Sequence, residues 1–230
     1  TVCQVGEGAD ELFWGYPHWR KVLKIQNLSD KYLPRFLVNA LKAILDLIGL
    51  NNDWRYEALK RVANNQPIYW GPEPYTHNQK IKLFSKRMQK KFSGYDSWKS
   101  ISDIRNNFDK KSSSGSNLDW MTYIDLNLRL PELLLMRVDK MSMGVSLEAR
   151  VPFLDHKLVE YSMSIPEKMK TKNDDLKYIL KKSVRGIIPD KIIDRKKQGF
   201  SAPIKEWSKD SLKPLGKKYI QEFCLETDLL

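Results

Sequence analysis

The run Gly6-Glu7-Gly8-Ala9-Asp10-Glu11-Leu12-Phe13-Trp14-Gly15-Tyr16 concentrates chemistry near the start of this chain. Glycines flank a carboxylate, further carboxylates follow at once, and an amphipathic run begins behind them. Glycine permits positive φ or a close backbone approach to a ligand. The first turn of a helix offers unpaired N–H groups to an anion. Gly6, Glu7 and Gly8 could therefore cradle a phosphate-bearing ligand. Asp10, with Glu11 beside it, offers hard oxygen where a Mg2+ bridging phosphate oxygens needs it. The same pattern also fits a turn that merely starts a helix, and these residues alone leave that reading open.

Two further clusters change the balance. Leu130-Pro131-Glu132-Leu133-Leu134-Leu135-Met136-Arg137-Val138-Asp139-Lys140-Met141-Ser142-Met143 sets Arg137, Asp139 and Lys140 in an otherwise apolar helix. Glu148 and Arg150 then form an acid–base pair ahead of the rigid turn Val151-Pro152-Phe153-Leu154-Asp155. Charges in a buried helix are costly unless paired. An internal ion-pair network is thus as good an account of Asp139, Glu148 and Arg150 as chemistry is. In Arg195-Lys196-Lys197-Gln198-Gly199-Phe200-Ser201-Ala202-Pro203, cations stand beside a glycine able to bring the loop against a ligand.

The elements that must position these clusters are mostly helical. Apolar residues from Ala9 to about Ile25 recur at near-helical spacing, with Pro17 set to break or restart the helix. Leu28 to Leu50 reads as a second helical region, with Pro34 near its start and Gly49 near its end. Trp54 to Val62 is a short helix, followed by the turn-rich Gly71-Pro72-Glu73-Pro74. His77 to Phe92 reads as a lysine-rich helical pair, and Ser112 to Ser116 as the clearest loop. Asn117 to Met143 is strongly helical, with Pro131 expected to interrupt it. Lys157 to Ser164 and Leu176 to Val184 complete the pattern, and Ile187 to Ile193 is a joint leading to Arg195. Strand signals are few, and the chain reads as mainly α.

The bulk properties exclude several classes. A length of 230 residues with 41% hydrophobic and 11% aromatic content describes a folded domain. The net charge of +12 suits a polyanionic small substrate or a solvated lysine-rich surface. No zinc-finger spacing, RNA-recognition signature or basic heptad pattern supports nucleic acid. Cys3 and Cys224 make neither a CxxC motif nor a disulfide framework, which suits a reducing, cytoplasmic compartment. His18, His77 and His156 lack zinc-ligand spacing, and His156 reads as a surface or capping residue. The apolar stretch from Phe36 to Leu50 contains Asn39, Lys42 and Asp46, so it reads as a core helix rather than a membrane span. The chain begins at Thr1 rather than Met, and it is expected to be part of a longer protein.

Together GEGADELFWGY (6–16), LPELLLMRVDKMSMGVSLEARVPFLDH (130–156), LKYILKK (176–182) and RKKQGFSAPIKEW (195–207) resemble the synthetase domain of the glutamine-hydrolysing asparagine synthetase family. The resemblance runs from Gly6 to about Trp207. It implies that residues 1–230 are the C-terminal part of an α/β synthetase domain of the ATP-pyrophosphatase, adenine nucleotide α-hydrolase-like type. The parallel sheet would lie largely upstream, with the pyrophosphate-loop region and the glutaminase domain outside this chain. The activity implied is ATP-dependent amidation of aspartate to asparagine through a β-aspartyl-adenylate, with ammonia drawn from glutamine elsewhere in the protein.

ATP and Mg2+ are the implied cofactors. Asp10 would hold the metal on pyrophosphate, and Glu7, with Gly6 and Gly8 around it, would face the adenylated intermediate. Lys197 would neutralise phosphate charge during acyl transfer. Glu132 and Arg137 fall where related enzymes have site-facing polar residues, whereas Glu148, Arg150 and Asp155 read as architectural. Val5 departs from the family, which usually has a small hydroxyl residue there, and no SGGxDS loop is present in the chain. The alternatives are an amidotransferase acting on a sugar or peptide carboxylate, or a noncatalytic basic helical module. The implied partners are small substrates, without nucleic acid or membrane, and a homodimer stays open. The piece by itself is expected to be inactive.

Overall fold

The computed structural model describes residues 1–68, 75–112, 115–172, 175–195 and 203–227. It is predominantly helical, with one small parallel sheet among the described residues. Strand β1 (Val2–Gln4) leads into α1 (Ala9–Leu12) and α2 (Pro17–Tyr32). The proline restarts the chain at the first position of α2, where its missing N–H costs nothing. Pro34 precedes α3 (Arg35–Leu47), and α4 (Trp54–Ala63) follows with Asp53 as N-cap, its carboxylate accepting from Tyr56 N. The expected helical pair appears as α5 (His77–Leu83) and α6 (Lys86–Lys91). Thr76 and Gln79 close a reciprocal capping box on α5.

Helix α7 (Lys99–Lys111) has no counterpart in the sequence reading, because charged and polar residues dilute its apolar face. Helix α8 (Asn117–Ile124) then runs without a break through a π-helical stretch (Asp125–Leu135) into α9 (Met136–Met143). The expected interruption at Pro131 does not occur. In an α-helix its ring would press on the carbonyl four residues back and remove a hydrogen bond. The wider π turn relieves that conflict, and Met136 N–H donates to the Pro131 carbonyl five residues back.

Strand β2 (Glu148–Arg150) lies parallel to β1, pairing Val2 with Glu148, Cys3 with Ala149 and Gln4 with Arg150. A 3-10 turn (Pro152–Leu154) and α10 (His156–Ser164) follow, with Asp155 capping α10 by accepting from Lys157 N and Leu158 N. That bears out the architectural reading of Asp155 and leaves His156 exposed at a helix start. The chain ends in α11 (Glu167–Lys170), α12 (Tyr178–Ser183), α13 (Asp190–Ile193), α14 (Ile204–Lys209) and α15 (Lys213–Thr227).

The core packs Trp14, Trp19, Val22, Ile101, Phe108, Trp120, Met121 and Ile124 where α2, α7 and α8 meet. Helix α9 contributes no buried residue, so Arg137, Asp139 and Lys140 do not sit in a buried helix as expected. Glu148 and Arg150 do pair, at 2.8 Å, but their side chains are exposed. Helix α3 also departs from its reading as a core helix, because only Val38 is buried while Phe36, Leu41, Ile44 and Leu47 face outward. Both cysteines are free thiols, and no helix among the described residues is long and apolar enough to cross a membrane. The turn at 71–74 and the cationic cluster from Lys196 to Ala202, Lys197 included, lie outside the described residues.

Candidate functional site

Because β1 and β2 are parallel, the turn at Gly6–Gly8 and the turn after Arg150 leave the same end of the sheet. Carboxyl ends of parallel strands are where open α/β sheets bind ligands. Val5 N–H donates to the Arg150 carbonyl at 2.8 Å and extends the ladder to the lip of the site. Gly6 lies open, with no atom within 4 Å of where a Cβ would stand. Gly8 is different. Its φ of 94° suits glycine, and a Cβ there would stand 2.4 Å from Leu154 Cδ2. Gly8 therefore locks the turn against the 3-10 segment, while Gly6 leaves space for a ligand.

Glu7 is half-buried beside this opening. Burial pushes its carboxyl above the usual range, Glu11 and Asp10 add to the rise, and Arg137 and Arg129 oppose it. Arg137, exposed on α9, is thereby placed in the electrostatic field of the turn. Glu132 is exposed on the π-helical stretch.

Asp10 sits in the first turn of α1, where the helix N-terminus favours negative charge. Its Oδ1 lies 2.7 Å from the ammonium of Lys177, the residue that caps α12 with a φ of 56°. Lys177 falls inside the helix expected over Leu176 to Val184, and nothing local foretells its left-handed backbone.

Helix α1 closes by a Schellman-type turn, in which Gly15 N–H donates to the Asp10 carbonyl at 2.8 Å. Trp14 occupies the left-handed position of that turn, with φ 58°, where glycine is usual. At Gly15 a Cβ would lie 1.8 Å from Asp10 Oδ1 and 2.2 Å from Lys177 Cε. Only a glycine lets the turn and the ion pair share this space.

Beneath the turn lies a buried polar set. Glu11 is buried and accepts from Tyr16 Oη at 2.5 Å. The Arg129 guanidinium stacks 4.8 Å from the Tyr16 ring centre and donates to Asp125 Oδ2 at 3.0 Å. Asp125 is buried, and its Oδ1 finds no hydrogen-bond partner among the described residues. Burial lifts its carboxyl to about 7 although Arg129 pulls the other way. Burial, reinforced by Glu11, also keeps the Tyr16 phenol protonated. This set stiffens the floor under Glu7 and Asp10.

The donor set can be weighed against a divalent ion. No cluster of His, Cys, Asp and Glu able to cage a metal exists among the described residues. Glu11 is buried and engaged by Tyr16, which leaves Asp10, about a quarter exposed and paired with Lys177, as the carboxylate at the helix start. A single carboxylate matches the habit of Mg2+, which takes one or two protein carboxylates and completes its shell with phosphate oxygens and water. The residues fit a metal that arrives with a nucleotide.

The asparagine synthase family model matches residues 1–227. Asparagine synthetase [glutamine-hydrolyzing] 1 of Bacillus subtilis is 34% identical over 223 residues, covering 96% of this chain and 34% of that protein. Asparagine synthetase [glutamine-hydrolyzing] 3 of the same organism is 55% identical over 67 residues, which is 29% of this chain and 11% of that protein. A putative asparagine synthetase [glutamine-hydrolyzing] of Mycobacterium tuberculosis is 27% identical over 207 residues, 90% of this chain and 30% of that protein. The chain thus spans about a third of the length of the relatives that it matches along most of its own length. No solved structure matches it at the significance these relatives reach. With the family model covering all but its last residues, the chain belongs to the asparagine synthase family.

Proposed function

We propose that this chain supplies one wall of the synthetase site of an ATP-dependent enzyme that amidates aspartate to asparagine. It would be the C-terminal part of a longer protein whose other regions bring the pyrophosphate loop, most of the parallel sheet and a glutaminase. The observation that carries this reading is the convergence of Glu7, Asp10 and Lys177 at the carboxyl end of two parallel strands.

The roles follow from position and charge. Bound Mg2+ would screen the phosphates and favour the departure of pyrophosphate, and Asp10 is the residue that would hold it. Lys177, a compact cation beside Asp10, suits the same polyanion. Glu7, partly desolvated and raised in pKa, suits a carboxylate beside the acyl centre, able to hold a proton of the attacking ammonia. Lys197 would add a cation to the phosphates as the β-aspartyl-adenylate is consumed, a role argued from its motif. Arg137 tunes Glu7 through space. The cysteine usage suits a cytoplasmic enzyme.

The test is turnover by the full-length protein with aspartate, ATP, Mg2+ and either glutamine or ammonium. Asparagine, AMP and pyrophosphate in equal amounts support the reading. Turnover with a carboxylated sugar or peptide in place of aspartate moves the assignment to another acceptor. A Lys197→Ala variant that turns over like the wild type removes Lys197 from the site.

A further inference from the structure

Lys170 belongs to a basic run that the sequence presents as surface, yet its side chain is fully buried. Burial disfavours its charged form and pulls its pKa down, with Asp119 opposing. Its ammonium stands 3.7 Å from Asp119 Oδ1 and 4.9 Å from the centre of the Trp14 ring. An ammonium over an indole face is among the stronger cation–π arrangements once water is excluded.

Trp14 is the residue held in the left-handed conformation at the end of α1. A bulky residue there is strained and persists only where its surroundings over-determine it. The surroundings are on view. Trp14 Nε1 donates to Thr122 Oγ1 at 3.0 Å, and the same hydroxyl donates to the Glu11 carbonyl at 3.0 Å. Lys170 covers the ring. Glycine would meet the backbone demand without strain, but it would give up this anchorage of α1 to α8 and α11.

Lys170 also ends α11, which packs against α12, the helix that Lys177 caps. Lys172 and Asp175 exchange backbone hydrogen bonds of 3.3 and 2.8 Å, and Lys181 pairs with the Asp175 carboxylate. Lys177 follows at the start of α12 and reaches Asp10. The two partners of the Asp10–Lys177 pair thus connect to one buried point, Asp10 through Trp14 and Lys177 through the packing of α11 on α12.

We propose that Lys170 is a positioning residue, whose buried cation fixes the Trp14 turn and the start of α12 in the register that joins Asp10 to Lys177. The consequence for ligand binding rests on the function proposed above; the claim about register does not.

The experiment uses the full-length protein and its Lys170→Met variant, with Trp14→Phe as a second variant that keeps an aromatic ring should the first fail to fold. Amide hydrogen exchange of the segments 6–16 and 175–183 is compared with that of α4, and Mg-ATP affinity is measured by calorimetry. Exchange in both segments is expected to rise by about tenfold or more, the scale of a lost desolvated cation–π contact, with α4 unchanged. Mg-ATP affinity is expected to fall about as much. Unchanged exchange in either segment, or an equal rise in α4, overturns the proposal and reduces Lys170 to a general stabiliser. A wild type that binds no Mg-ATP defeats the functional reading, while the exchange pattern still decides the role of Lys170.

Discussion

Lys177 Nζ and Asp10 Oδ1 meet at 2.7 Å, although 167 positions separate the residues, since 177 − 10 = 167. Both side chains remain about a quarter exposed. A pair so placed contributes little to stability, on the order of 0–1 kcal/mol, and the proposed function gives it the role of meeting a ligand. Lys177→Met in the full-length protein should leave the melting temperature nearly unchanged. It should weaken Mg-ATP binding by about ten- to a hundredfold, the usual worth of a charge-assisted contact. Calorimetry beside a thermal melt separates the two effects, and unchanged affinity would remove Lys177 from the nucleotide site.

The two glycines that flank α1, Gly8 and Gly15, should fail in opposite ways. At Gly15 an added methyl meets the ends of Asp10 and Lys177, which can swing aside at modest cost. Gly15→Ala should therefore fold normally and lose Mg-ATP affinity much as Lys177→Met does. At Gly8 the methyl meets Leu154 in a backbone conformation that L-residues avoid. Gly8→Ala should cost about 1–3 kcal/mol of stability. Denaturant unfolding and nucleotide titration on both variants check the contrast.

The local structure of the turn could be read from residue order. Gly6 to Glu11 announced a turn entering a helix, and the structure has α1 begin at Ala9. The continuous helical run from α8 to α9 was visible from its recurring apolar residues. Lys177 and Lys170 were not legible, because a lysine looks the same whether solvated, buried over Trp14 or paired across the fold with Asp10. Pro131 misled because the rule against internal proline presumes α geometry, and the π turn is a tertiary accommodation. The strands were too short, at three residues each, to carry a period of two.

Asp125 should leave a signature in the pH dependence of stability. Its carboxyl titrates near 7 in the folded protein against an ordinary value of 3.8. The folded state thus binds the extra proton, and the stability gained is complete below the unfolded value and lost as pH rises through about 7. Asp125→Asn keeps an acceptor for Arg129 and has nothing to titrate. Urea unfolding at pH 5 and pH 8 should show the wild type losing more stability over that interval than the variant. Equal losses would mean that Asp125 is ionised in the fold throughout.

Glu7 and Arg137 test whether the electrostatics around the turn reach the chemistry. Burial and the neighbouring carboxylates raise the Glu7 carboxyl, and Arg137 is the leading influence holding it down. Arg137→Met removes that influence from an exposed helix face without opening a cavity, so the fold should be unaffected. The Glu7 carboxyl should then rise further. If acyl transfer needs the ionised form, as a group accepting a proton from ammonia must, the acid limb of the rate profile will move to higher pH. Turnover on the alkaline side will stay close to that of the wild type. In a Glu7→Gln background the same Arg137→Met change should produce no displacement of the limb, because the group that titrates is gone. A displacement that survives Glu7→Gln would assign the acid limb to another group, with Asp10 the first to examine.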